Sequence, residues 1–472
     1  MNTRRPRILI VLPYAMMARN FIQGGTLERL AQMRSVEVAI VSPSARDEEH
    51  ARRLGMRWEP IFHPLRWPGR AARLTRALWY IRYLAGVAWR MCLVHRFNMI
   101  EGFRGFAIRL RQSWRLRMRF VAEALPMSAL FGFPFPRSLR IYERLHGWYW
   151  SAWQRCGPVD ALFREFRPAV MVLGHLQTSA IAPYVLAARA FQVPVLGING
   201  SWDQPTTKGP LCPWLERIVA QNEQVREELR RHHRVEASRV VVAGWPQMDV
   251  YAGQAVAGGC SAMLARYGYP DGERLIVFAA NPARLGLKEP QIARWIADRI
   301  AAGRYGARLC LHLRCHPNDD RWRERFAPLA GHSAVRLEPP QPEGLRELAE
   351  LLRHAQVVLA SAGSINLDAV ALDTPTIGLA LEDESVPYWD RQARQYEFEH
   401  LAALLQYDGL PLARSFEELD ELIIEALAEP LRRAPGRRAI RDRFLGPLDG
   451  KASLRVASEI LAMAESACTS SG

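Results

Sequence analysis

Lysine is nearly missing from this chain: Lys208, Lys288 and Lys451 are the three lysines among 63 basic residues. The formal excess of +15 is therefore an arginine excess. Arginine usage also follows genome composition, so the excess does not by itself identify a polyanion binder. The seven cysteines are odd in number, irregularly spaced and without a C-x-x-C pair, which argues against a disulfide framework and a zinc ribbon and points to reduced thiols in the cytoplasm. Long apolar runs are also lacking. Ile8 to Leu12 is too short for a signal core, and the most apolar long window, Leu78 to Val94, is broken by Arg82 and Arg90, short of the ~20 uninterrupted residues of a spanning helix. No P-loop, no G-x-G-x-x-G after the first strand, no D-x-D on an apolar strand and no H-x-x-x-H on one helical face occur, so P-loop NTPase, dinucleotide-dependent dehydrogenase and metal-centre readings lose their support. No repeat has a fixed period.

What is present is a chain of 472 residues, 49% hydrophobic and 24% charged, long enough for two or three domains. Its charge is concentrated. Residues 51–150 hold 19 arginines, four acids (Glu59, Glu101, Glu123 and Glu143) and seven of the fourteen tryptophans. That difference equals the whole chain's excess, so an anionic partner is expected to meet this one segment and the remainder is neutral. Arginines interleaved with Trp67, Trp79, Trp89, Trp114, Trp148 and Trp150 suit the surface of an anionic membrane, with a solvated basic helix face as the plainer alternative.

Along the chain, continuously apolar strands alternate with amphipathic helices, the pattern of a doubly wound parallel sheet. The first set has strands at Ile8 to Leu12, Val36 to Val41, Ala169 to Leu173, Val193 to Ile198, Arg217 to Ala220 and Arg239 to Ala243. A second set follows at Leu275 to Ala279, Leu309 to Arg314, Val335 to Leu337, Val357 to Ala360 and Thr376 to Leu381. Gly244-Trp245-Pro246 marks the boundary. The expected organisation is an α/β protein with two Rossmann-like domains facing a cleft. Residues 1–244 form the acceptor domain with a helical insertion at about 51–155, residues 245–430 the nucleotide-donor domain, and residues 431–472 a helical tail.

Ligands of such sheets bind beyond the carboxyl ends of the strands, so the loops there are the candidates. Ser361-Ala362-Gly363-Ser364 follows a buried strand; its small residues admit a ligand, Ser364 is placed to cap the next helix, and Asp368 lies one turn in. Arg314-Cys315-His316-Pro317 brings a cation and an imidazole to a strand end, where they could bind phosphate. Glu382 could accept from ribose hydroxyls and Arg284 adds a cation. In the first half, His175 and Asp203 each end a strand loop and could serve as general base, and Ser201, Trp202 and Lys208 extend the Asp203 loop. A buried His175 and an Asp203 that only bonds its own turn are the structural alternatives.

As a set, Gly244-Trp245-Pro246-Gln247-Met248-Asp249, Arg314-Cys315-His316-Pro317 and Ser361-Ala362-Gly363-Ser364 with Asp368 resemble the GT-B glycosyltransferase superfamily. The resemblance is to the branch of CDP-glycerol glycerophosphotransferases, bacterial surface-polysaccharide transferases and UDP-N-acetylglucosamine 2-epimerases, and it spans residues 160–430. It implies a metal-independent glycosyltransferase with no cofactor, which moves a sugar or a polyol phosphate from a nucleotide donor to a surface glycan or lipid-linked acceptor. His316, Gly363 and Ser364 would contact the donor phosphate, Asp368 would support that loop, and Asp203, ahead of His175, would be the base. The glycerophosphotransferase branch carries a histidine-glycine pair where this chain has Asn199-Gly200, which counts against glycerophosphate. The expected location is the cytoplasm, with the basic segment on the inner face of the cytoplasmic membrane. An NDP-sugar epimerase and a non-catalytic scaffold for polysaccharide export are the alternatives; no specific nucleic-acid partner is expected.

Overall fold

The computed structural model describes residues 5–14, 17, 19–33, 36–62, 155–207, 211–252, 259–283, 285–341, 344–381 and 391–470. The insertion from residue 63 to 154, Lys208, Arg284 and Glu382 lie outside the described residues. The chain divides into two compact units, Met1–Gln247 with Lys451–Gly472, and Met248–Gly450.

The first unit is a seven-stranded sheet built from β1 (Arg7–Val11), β2 (Glu37–Ser42), β3 (Arg57–Pro60), β4 (Val170–Leu173), β5 (Val195–Ile198), β6 (Arg217–Ala220) and β7 (Val240–Val242), in the order β3-β2-β1-β4-β5-β6-β7. Every pairing is parallel. Alternation along β1 explains its two-sided burial: Leu9 and Val11 join one core with Val159, Phe163, Val185 and Leu229, while Ile8, Ile10 and Leu12 join the other with Leu27 and Leu30. The helix Ala452–Ser470 completes that second core through Val456, Ala457, Ile460, Met463 and Ala464. Residues 451–472 are thus part of the first unit rather than of a tail set apart at 431. Gly244, at φ 92°, makes this docking possible, because a Cβ there would come within 2.9 Å of the Ala452 Cβ.

Residues 51–60 are not insertion but the end of the helix Ala45–Arg53 and the edge strand β3, whose Arg57 pairs with Glu59 and Glu165. The strand expected at Arg239 begins one residue later, after a short 3-10 turn.

The second unit has β8 (Arg274–Ala279), β9 (Leu309–Arg314), β10 (Val335–Glu338), β11 (Val357–Ala360), β12 (Thr376–Leu379) and β13 (Leu412–Ala413), ordered β10-β9-β8-β11-β12-β13 and again parallel. Ile292, Ala293, Ile296 and Ile300 of the helix Glu289–Ala301 pack on Ile276, Phe278, Leu311 and Leu359. Counted from its own first strand, the first sheet runs 3-2-1-4-5-6-7 and the second 3-2-1-4-5-6, so each has a topological switch beside that strand. Among the described residues no helix is long and apolar enough to cross a membrane.

Candidate functional site

In the second unit, β8 lies between β9 and β11. The loops after β9 and β11 therefore emerge about 10 Å apart, two strand spacings, on either side of the β8 loop. His316 is half-buried two residues after β9, and its Nδ1 accepts from the Asn318 backbone N–H at 3.0 Å. A lone pair at Nδ1 means that the neutral ring carries its proton on Nε2, which suits donation to an anionic oxygen. Its neighbour Cys315 is no nucleophile: burial pushes the thiol up to about 12.

Across β8, the β11 loop places Ser361 and Ala362 in the interior and leaves Gly363 and Ser364 half-buried. Ser364 does not cap the helix Ile365–Ala371 with its side chain, contrary to the sequence reading. Its φ and ψ of −66° and −20° are already helical, whereas a capping hydroxyl needs an extended residue. Asn366 closes the turn instead, its Nδ2 donating to the carbonyl of Ser361 at 3.1 Å. Asp368 is buried on the same helix.

Arg314 ends β9 but its guanidinium is engaged sideways. Nη1 donates to Glu338 Oε1 at 2.5 Å, and Glu338 Oε2 meets His312 Nε2 at 2.9 Å. Parallel register sets Arg314 opposite Glu338, which explains the pair. Burial pushes the Glu338 carboxyl up, but His312 and the Arg314 charge outweigh it and hold it below the ordinary 4.5.

Sequence reasoning missed the group that ties these loops together. Glu289, fully buried, receives the Asn281 backbone N–H at Oε2 (2.8 Å) and the Ser361 hydroxyl at Oε1 (2.9 Å). Arg325 pairs with it at 3.2 Å and also with Asp319. An acid at a helix start beside Pro290 is the only signal the sequence offers, and it reads as a dipole partner.

In the first unit, β1, β4 and β5 are neighbours. His175, after β4, is buried and accepts at Nδ1 from the Gln177 N–H at 3.1 Å, so its neutral ring also bears the proton on Nε2 and suits a donor more than a base. Tyr14, after β1, meets the His175 ring edge-on at 5.4 Å and hydrogen-bonds Thr178 Oγ1 at 2.5 Å. It is 42% exposed, whereas Trp202, expected in the acceptor loop, is 6% exposed. Ser201 Oγ donates to Asp203 Oδ1 at 2.5 Å, so Asp203 does bond within its own turn. Side-chain amides hold this edge: Asn20 Nδ2 donates to the Gly200 carbonyl (2.8 Å), Gln204 Oε1 accepts from Gly200 N–H (2.9 Å), and Asn199 and Gln221 bond each other. One turn of π-helix, Arg19–Gln23, carries Asn20. Among the described residues no group of His, Cys, Asp and Glu could hold a metal ion.

Two parallel sheets of this order, each covered by helices on both faces, match known structures along nearly their full length. A UDP-GlcNAc 2-epimerase from Neisseria meningitidis, bound to UDP-GlcNAc, superposes with a TM-score of 0.53 at 14% identity, covering 97% of this chain and 99% of that one. The chain has the GT-B fold. A UDP-GlcNAc 2-epimerase from Methanocaldococcus jannaschii (TM-score 0.51, 12% identity, 97% and 100% covered) and a glycosyltransferase from Rickettsia africae (0.51, 9%, 97% and 99%) share it. No protein-family model and no curated protein sequence matches the chain. The GT-B likeness is therefore one of architecture.

Proposed function

We propose that this GT-B chain is a nucleotide-sugar enzyme, and that its chemistry is glycosyl transfer to a glycan or lipid-linked acceptor. The observation that carries the reading is the edge of the second unit. His316, whose Nδ1 accepts a backbone N–H, and a small-residue loop rise on either side of β8 at the switch point, where an open α/β sheet takes its ligand. In this reading His316 donates to a diphosphate oxygen, the Gly363 and Ser364 backbone accommodates the phosphates, and buried Asp368 supports that loop. Arg314 is left out as a direct contact because Glu338 engages its head. In the first unit Asp203 takes the acceptor proton and His175 donates from Nε2. The Ser201–Asp203 bond would orient the carboxylate.

Epimerisation of an NDP-sugar is the second reading, favoured by the epimerases that share the fold over nearly the whole chain. One experiment separates the two. The intact protein is incubated with UDP-GlcNAc and related nucleotide sugars, alone and with glycan or lipid-linked acceptors in anionic vesicles, and the products are analysed. Acceptor-dependent release of UDP supports transfer. Inversion at C2 without acceptor supports epimerisation, and a folded protein that neither binds nor converts any nucleotide sugar contradicts both.

A further inference from the structure

Arg325 binds two backbone carbonyls of one loop with one guanidinium: Nη1 donates to Asn281 O at 2.8 Å and Nη2 to Gly286 O at 2.6 Å. The same two nitrogens pair with Asp319 and Glu289. Glu289 then carries the connection across β8 to Ser361. Loops following β8, β9 and β11 are thereby joined at one point beside the switch. Gly286 is required, since a Cβ there would collide with the Glu289 carboxylate and would stand 2.8 Å from Arg325 Nη2.

The charges are deeply enclosed. Side-chain exposure is 8% for Arg325 and 0% for both Glu289 and Asp319. Enclosing such a triad costs desolvation that well-packed apolar residues would avoid, so it is a poor source of net stability. What the triad supplies is direction, because a planar fork with fixed N–H vectors sets the positions of the groups it binds. We propose that Glu289 is a positioning residue which, with Arg325 and Asp319, clamps these three loops in the arrangement that receives a nucleotide diphosphate. The ligand rests on the function proposed above; the clamp does not.

Amide hydrogen exchange and UDP calorimetry on the full-length protein test it. In Glu289→Gln, which keeps shape and loses charge, exchange within residues 281–288, 315–321 and 361–364 should rise about tenfold while amides of β8, β9 and β11 hold. UDP affinity should fall by a similar factor of about ten, the equivalent of 1.4 kcal/mol. A triple replacement, Asp319→Leu with Glu289→Met and Arg325→Met, should keep or raise thermal stability without restoring slow loop exchange or UDP affinity, which a merely structural triad would not do. Unchanged loop exchange in folded Glu289→Gln, or a triple variant that binds UDP like the parent, overturns the clamp. Should Glu289→Gln fail to fold, Ser361→Ala removes one bond only; faster exchange at 361–364 supports the clamp and unchanged exchange overturns it. A parent protein that gives no heat with UDP contradicts the proposed function, and the exchange arms still decide the clamp.

Discussion

The two sheets share a strand order and a switch point, yet neutral side-chain amides hold the loops at the edge of the first, while a buried carboxylate–guanidinium–carboxylate triad holds those of the second. Amide contacts such as Asn20 to Gly200 and Asn199 to Gln221 cost little to bury when paired and do not respond to pH. Paired charges in low dielectric orient their partners more strongly and leave a large penalty when one member is lost. The difference matches the ligands proposed for each edge. In the proposed function a polyhydroxylated acceptor would meet loops held by neutral amides, and a diphosphate loops that must not shift as charge enters.

The largest effect that would break this comparison is on the triad. Arg325→Ala should destabilise the second unit by about 3–5 kcal/mol, since it strands two buried carboxylates. Asn199→Ala should cost the first unit about 1–3 kcal/mol by removing the Asn199 Nδ2 donor to buried Gln221 Oε1. Denaturant unfolding followed separately in each unit by hydrogen exchange measures both, and equal losses would erase the distinction.

A smaller effect is expected in acid. In Asp420, burial raises the carboxyl but the bonds from Arg304 and Tyr305 outweigh it, so its pKa is lowered, as is that of Glu338. A depressed folded-state pKa means stability that is present above the ordinary values of 3.8 and 4.5 and is lost as pH falls through the folded ones. Among the described residues of the first unit, Glu165 and Glu227 are also lowered, but both are fully exposed and screened. As pH drops below 4.5, amides of the second unit should therefore lose protection first, and Glu338→Gln should shrink the gap. Earlier opening of the first unit would contradict this.

The sheets were legible in the sequence because their strands are apolar on both faces: Leu309 to Arg314 and Val357 to Ala360 were read with the bounds they have. β3 was not, since Arg-Trp-Glu-Pro on a sheet edge is half exposed and looks like the basic segment that follows. The helix Ala452–Ser470 is readable as amphipathic, but nothing local says that its apolar stripe docks on a sheet whose first strand lies some 450 residues earlier. His316, the Ser364 loop, His175 and Asp203 all follow strands whose ends the sequence shows. The triad was hidden because Glu289 and Arg325 are separated by 36 residues and each resembles an ordinary solvated helix charge. Burial, the property that makes them important, appears only when three loops converge.

In the proposed function the edge of the second unit receives the nucleotide. Hydrogen exchange of the full-length protein with and without saturating UDP tests it most directly. Slower exchange confined mainly to residues 281–288, 315–321 and 361–364 is the predicted result. Protection restricted to 174–181 and 199–207 of the first unit, with the second unit unchanged, would contradict it.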